Sequence, residues 1–374
     1  MDYQGNIFRP PSEANSILLQ VTRGCSHNKC TFCELYKGTR FTLKDEATIE
    51  SDIEFARTYC RRQNRLFLCD GDALIVPQKR LVTILKEVKR QLPWVKRIGT
   101  YANTKSIAKK TVEEMKELKS LGLSIAYMGL ETGDDVTLTA INKGADSARM
   151  IEMGRKIREA GIKLSVTVLL GIAGRERSMI HAKETGRVLS AIDPEFVGAL
   201  SLMLTPGTPL YQDHQKGKFP VLDAKELLTE LGVMISATNL TNGLFHSNHA
   251  SNYLTLEGRL PRDRDRILAT VDRALAGVEN VFLQVGGGVD EAVNKATLTI
   301  NLVSLKERSF SQEEMKNWIR DNLKPAFDKA CCEGLNLLVW HAFVCSPASM
   351  PRASPTRSSA SGPRSPRCWR RPPP

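Results

Sequence analysis

Three thiols share one short stretch. In RGCSHNKCTFCELY (residues 23–36), Cys25, Cys30 and Cys33 follow a C-x4-C-x2-C spacing directly after the first predicted strand. Three thiolates can bind three irons of a [4Fe-4S] cube and leave the fourth iron open to an exogenous ligand, as catalytic metal centres keep one position free. Plant-type [2Fe-2S] centres share the spacing but need a fourth cysteine, and Cys60 follows 27 residues later. Cys60, however, falls on an apolar helical stripe with Ile49, Ile53 and Ala56, and Cys69 falls within a predicted strand. Both positions suit buried, inert thiols. Zinc usually takes four ligands in two pairs, and His27 reads as a loop residue. The open cube is the favoured reading.

A second polar concentration is FHSNHASNYL (residues 245–254), where His246 and His249 stand with Asn248, Asn252 and Tyr253. The residue types suit a substrate site, and equally a loop whose Asn and Ser residues make turns.

The elements that must position these groups follow from periodicity. Short β-rich runs at 16–21, 65–70, 97–102, 123–130, 163–171 and 196–204 alternate with helical patterns at 46–62, 78–92, 111–122, 147–161, 178–192 and 223–240. Gly122 closes the third helix as a C-cap. Six βα units predict an α/β fold with a parallel sheet and right-handed crossovers, curved into a partial (β/α)6 barrel whose ligands sit at the C-terminal strand ends. Alternation along KLSVTVLL puts Ser165 and Thr167 on the face opposite Leu164, Val166 and Val168, so Thr167 is a substrate-side candidate in the lumen.

The expected division is a lead-in over 1–15, the barrel over 16–255, and a small helical and α/β extension over 256–345. That extension carries a helix at 261–277, strands at 280–285, 296–305 and 335–343, and a helix at 311–332. A Pro/Ser/Arg-rich tail over 346–374 reads as disordered. Nine cysteines without a secretory leader read as thiols or metal ligands, and no apolar run approaches the roughly 20 residues that span a bilayer, so a cytoplasmic protein without membrane attachment is expected. The net charge is +12, but the tail carries six arginines and no acid, so half of the excess lies there. A nucleic-acid partner is not indicated.

The cysteine loop and the motifs behind it resemble the radical S-adenosylmethionine (SAM) superfamily, in particular its Elp3/MiaB/HemN-like branch. The first cysteine gap is one residue longer than the family's usual C-x3-C, while Phe32 keeps the aromatic beside the third cysteine. CDGDAL (69–74) resembles the family's Gly-Gly-Glu turn and places Gly71 and Asp72 near the methionyl ammonium of SAM. GLETGDD (129–135) resembles the acidic motif and places Glu131 on the polar end of SAM. LLGIAGRE (169–176), with Gly171 and Gly174, and LTPGTPLY (204–211) resemble the segments that pack on adenine. Arg175 reads as a helix cap or a partner of the SAM carboxylate.

The resemblance implies a [4Fe-4S] cluster on the three cysteines, reductive cleavage of SAM to methionine and a 5′-deoxyadenosyl radical, hydrogen abstraction from an unknown substrate, and a flavodoxin or ferredoxin as reductant. It also implies an alternative, a HemW-like haem-binding chaperone that keeps the cluster without the parent reaction; a [2Fe-2S] electron carrier is the weaker alternative. Neither a cobalamin-binding nor a methylthiotransferase domain is expected before residue 16, nor an acetyltransferase after 255.

Overall fold

Each of the six β-rich runs becomes a strand. In the computed structural model, which describes residues 1–285 and 296–302, β1 (Ile17–Gln20), β2 (Arg65–Cys69), β3 (Arg97–Tyr101), β4 (Leu123–Glu131), β5 (Lys163–Leu170) and β6 (Phe196–Ser201) lie side by side in that order. Every adjacent pair is parallel. Parallel neighbours need a long crossover, supplied by α1 (Glu46–Tyr59), α2 (Gln78–Gln91), α3 (Val112–Ser120), α4 (Ser147–Glu159) and α5 (Gly174–Ile192), with α6 (Ala224–Ala237) following β6. This is the partial barrel the sequence predicts. Short polar side chains start the helices where the pattern requires them: Thr111 and Glu114 close a reciprocal capping box on α3, and Asp223 and Glu226 do the same on α6.

The sheet runs on past the sixth strand. β7 (Gly243–His246) adds parallel to β6, and β8 (Glu257–Leu260) adds antiparallel to β7, giving eight strands in an open sheet with β1 and β8 at its edges. Residues 245 and 246 therefore end a strand, where the sequence suggests only a polar segment beyond the barrel, and the sheet continues beyond residue 255. Four residues, GLFH, are too few for a period-2 signal. The predicted helix at 261–277 forms as α7 (Arg264–Gly277), and Val278–Val285 pairs antiparallel with Ala296–Leu302. The expected helix at 311–332, the strand at 335–343 and the tail over 346–374 lie outside the described residues.

Alternation along the strands makes two apolar layers. Leu19, Leu66, Leu68, Leu164, Val166 and Val168 are buried in the main core with apolar side chains of the surrounding helices. The opposite face looks into the lumen, where Phe67, Cys69, Ile125 and Tyr127 form a separate cluster. Phe67 meets Tyr101 edge-on at a centroid distance of 5.1 Å and Tyr127 at 5.8 Å. Thr167 is half-buried while Val166 and Val168 are fully buried, as the alternation predicts.

The lead-in is part of this interior. Ile7 packs on the lumen cluster, Phe8 stands edge-on to Tyr36 at 5.3 Å, and the Ser12 and Tyr127 hydroxyls are 3.0 Å apart. Glu13 is completely buried, and its carboxylate accepts hydrogen bonds from Arg97, Ser16 and Tyr127, each at 2.5 Å. A charge so deep is tolerated only when paired and hydrogen-bonded.

Helices α5 and α6 touch through Gly186, where a Cβ would stand 2.6 Å from the Ala237 Cβ and 2.7 Å from its carbonyl carbon. Gly186→Ala gains about 1 kcal/mol of helix propensity but must force this backbone contact apart, at a cost of about 1–3 kcal/mol. The expected outcome is a net loss of stability and a thermal midpoint several degrees lower; an unchanged or raised midpoint would show that the helices part without cost.

Candidate functional site

The cysteine loop hangs from a two-residue antiparallel ribbon, Thr22–Arg23 against Thr42–Leu43, just beyond β1. A loop of this length has few internal backbone bonds, so its path is set by what it leans on. At the end of β2, Ser26 Oγ donates to Asp72 Oδ2 at 2.5 Å, while Asn103 Nδ2, just past β3, donates to the same carboxylate oxygen at 2.9 Å and to Ser26 Oγ at 3.1 Å. Tyr36 donates to Asp70. Beyond β4, Asn142 Nδ2 donates to the Lys29 carbonyl at 3.2 Å, His27 Nε2 lies 2.8 Å from the Asn142 carbonyl, and the Thr31 amide donates to the Ile141 carbonyl at 3.0 Å. Beyond β6, the Leu210 amide donates to the Thr31 carbonyl at 3.0 Å. The loop is thus clamped by strands on both sides of the barrel mouth.

Cys25, Cys30 and Cys33 are free and half-buried. Burial pushes the Cys30 thiol up to about 11; the Lys143 ammonium opposes this, and Glu131 and the other two cysteines add to it. Cys33 is raised as well, first by burial, with a hydrogen bond from the Leu35 backbone working the other way. Glu131 and Lys143 form an ion pair at 2.7 Å, both side chains largely buried. Burial disfavours the Lys143 charge, but Glu131, Cys30 and Cys25 together raise its pKa. Among the described residues no three His, Cys, Asp or Glu side chains converge as ligands of one metal ion.

The remaining motif residues gather at the same end. Phe32 packs with Ile141, Leu169, Ile172 and Leu210 in an apolar patch beyond β5, with Phe219 at its border. Gly171 and Gly174 turn there at φ of 79° and 66°, and a Cβ on Gly174 would lie 3.2 Å from the Phe219 ring. Both positions need glycine's access to positive φ. Gly71 presses on the cysteine loop, where a Cβ would stand 2.6 Å from Tyr36 Cε2. Asp72 is fully buried and bound to Ser26 and Asn103, so its carboxylate braces the loop. Arg175 neither caps its own helix nor reaches the cysteines; it pairs with Glu226 at 2.6 Å and reaches the Val221 carbonyl. Cys60 ends α1 half-buried, and Cys69 is buried on the lumen face. His249 lies beyond β7 with Nδ1 2.8 Å from the Ser251 hydroxyl, and burial lowers its pKa.

Residues 19–184, from β1 into α5, match the sequence profile of the Radical SAM superfamily. This segment is a radical SAM domain. Protein MJ0486 of Methanocaldococcus jannaschii is 24% identical over 242 residues, covering 61% of this chain and 70% of that protein. The heme chaperone HemW of Bacillus subtilis is 21% identical over 189 residues, half of this chain and 49% of its own length. The radical SAM methyltransferase TsrM from Kitasatospora setae, whose structure holds cobalamin and a [4Fe-4S] cluster, superposes with a TM-score of 0.44 at 18% identity, covering 57% of this chain and 43% of that one. The chain spans half or less of the length of HemW and TsrM.

Sequence motifs give no sign of a buried network behind the radical SAM domain's strand ends. Glu230 of α6 accepts the Gly171 amide at 2.7 Å and the Ser178 hydroxyl, and lies 3.3 Å from His181 Nε2. His181 Nδ1 is 2.7 Å from Thr132 Oγ1, which accepts the Asp134 amide at 3.0 Å, and Thr185 Oγ1 accepts the Gly133 amide at 2.9 Å. Glu230 and His181 are completely buried. The Glu131 turn and the Gly171 turn are therefore held by one set of side chains. The available signal is a charge on an apolar stripe: Glu230 sits between Leu227, Leu231 and Met234.

Asp70 of the radical SAM domain is almost fully buried, and burial raises its carboxyl to about 6 although Tyr36 and the Gly24 and Phe8 amides favour the charged form. For an acid whose folded pKa lies above its unfolded value of 3.8, the stability it contributes is complete below pH 3.8 and is lost as pH rises through 6. The loss is on the order of 2–3 kcal/mol. In urea titrations of the metal-free protein from pH 4 to pH 7, wild type should lose this increment and Asp70→Asn should not; parallel curves would contradict the assignment.

Proposed function

We propose that the chain is a radical SAM enzyme in which Cys25, Cys30 and Cys33 hold a [4Fe-4S] cluster with one iron left for SAM. The observation that carries the reading is the donor set: three free thiols in one clamped loop, beside the Glu131–Lys143 pair, at the mouth of a partial barrel. In a cubane each of the three thiolates would bind its own iron, and a set of three leaves one iron with an open coordination position. Cys30 and Cys33 are poor thiolates on their own, so the positive charge of iron and of Lys143 is needed to hold them deprotonated. When bound, the cluster supplies the electron that splits SAM into methionine and a 5′-deoxyadenosyl radical for hydrogen abstraction.

The chain's own residues bind, orient and shield. Glu131 and the backbone of the Gly71–Asp72 turn would bind the methionyl ammonium, while the Asp72 carboxylate acts through Ser26 on the loop. The turns at Gly171 and Gly174 and the apolar Phe32 patch would pack on adenine. Glu230 fixes the Gly171 amide, and Lys143 balances the negative charge that Glu131 and the cysteines gather. The reductant is a flavodoxin or ferredoxin. A HemW-like haem-binding role is the second reading, favoured by the similarity to HemW over half of this chain and by His246 and His249.

Anaerobic reconstitution with iron and sulfide, followed by SAM and dithionite, tests the proposal. Expected are about four irons per chain and release of 5′-deoxyadenosine, both lost in Cys25→Ala, Cys30→Ala and Cys33→Ala, with deoxyadenosine at least a hundredfold lower. A loaded cluster with SAM left intact would favour the haem-binding reading.

A further inference from the structure

The lumen has two unlike halves. Against β1–β4 it is filled: Ile7 packs on Phe67, Cys69, Ile125 and Tyr127, the Phe8 ring lies on Tyr36, and the Phe8 amide reaches the Asp70 carboxylate. Along β5–β7 the lumen-facing side chains Ser165, Thr167 and His246 are only half-buried while Val166, Val197, Ala199 and Phe245 on the other face are buried; Leu200, nearer the strand ends, packs on the Phe32 patch.

Strand register aligns five of the residues on this face. Gly129 of β4 pairs with Thr167 of β5, Thr167 with Gly198 of β6, Gly198 with His246 of β7, and His246 with Glu257 of β8. Directly paired residues point to the same face, and the 3.4 Å contact of His246 Nδ1 with Glu257 Oε2 shows that they do so here. The row starts beside the cysteine site, because a Cβ on Gly129 would sit 2.3 Å from Glu131 Oε1 and 3.0 Å from Lys143 Nζ. At its middle, a Cβ on Gly198 would meet nothing closer than Leu200 Cδ1 at 4.0 Å. Thr167 and His246 thus flank a slot two strand spacings wide, about 10 Å between their Cα atoms.

The chemistry along the row is mostly that of an acceptor. Glu257, when ionised, only accepts, the Thr167 hydroxyl can accept, and the imidazole of His246 is the lone nitrogen group. Three cations are engaged elsewhere: the Arg259 guanidinium donates to the Asn242 carbonyl, Arg266 to the Glu257 carbonyl, and Lys143 is held by Glu131. We propose that the row Thr167–Gly198–His246–Glu257 is the substrate site, and that it takes a substrate group bearing a primary ammonium, with the ammonium held by Glu257 at the edge of the row and the chain behind it lying in the gap above Gly198 beside Thr167. The inference rests on the radical SAM reading for its link to catalysis but not for binding. The filled half fixes which side of the lumen the substrate uses, and the row leads from the open edge of the sheet toward Glu131.

Saturation-transfer NMR on the full metal-free chain tests it with n-butylamine as the probe and butyrate as the control. Wild type should give a butylamine signal at least fivefold above that of butyrate. Glu257→Gln, at a partly exposed position, should reduce it at least fivefold with unchanged circular dichroism, and Gly198→Val should abolish it by filling the gap. Should Gly198→Val fail to fold, Glu257→Gln decides alone. Equal signals for the two probes, or full butylamine binding by Glu257→Gln, would overturn the site. Release of 5′-deoxyadenosine by reconstituted wild type separates the outcomes: release without amine binding removes the row and leaves the enzyme reading standing, while amine binding without release removes the enzyme reading and leaves the row.

Discussion

One buried carboxylate ties the chemistry to the fold. Asp72 stands at the end of β2 and binds both Ser26 of the cysteine loop and Asn103 beyond β3. A loop with three thiols and little regular structure would otherwise sample many paths, and each ordered residue costs about 1–2 kcal/mol of backbone entropy. Charge-assisted hydrogen bonds are the stronger kind, and this one is shielded from water because Asp72 is fully buried. Burial also raises its pKa, against the pull of Ser26, Ser106 and Asn103. The clamp therefore needs both partners in place, since a buried charge stripped of one is costly.

From that anchor the site divides its labour. The Glu131–Lys143 pair keeps opposite charges beside the thiols, and the Glu230–His181 network holds the Glu131 and Gly171 turns in a fixed relation. Neither group lies on the rim, where water would screen it. The lead-in fills the lumen against β1–β4 with aromatic and apolar contacts. Rigid strands carry these positions, and strand register, which a buried face specifies strongly, decides what stands opposite what.

Much of this was legible in the sequence. The six strands and their helices follow from period-2 and period-3.6 patterns, and the alternation in KLSVTVLL placed Thr167 on the lumen face. The cysteine spacing and the ordered Gly and acidic motifs marked segments that the fold gathers at one end of the barrel. Other features were hidden for physical reasons. β7 is too short to show a period, and its role comes only from pairing with β6. Lys143 lies in a turn without a motif, and its partner is twelve residues away. Asp72 was visible as a motif position, but its use as a brace depends on Ser26 and Asn103, which meet only in three dimensions. Cys60 ends its helix half-buried, and nothing in its helical pattern marks that position.

The central claim is a cubane held by three thiolates with one iron reserved for SAM, and Mössbauer spectroscopy of the anaerobically reconstituted, iron-57-labelled protein tests it most directly. The account predicts that one iron in four changes its isomer shift and quadrupole splitting when SAM is added while the other three do not. Four irons indifferent to SAM, or a two-iron spectrum, would contradict it.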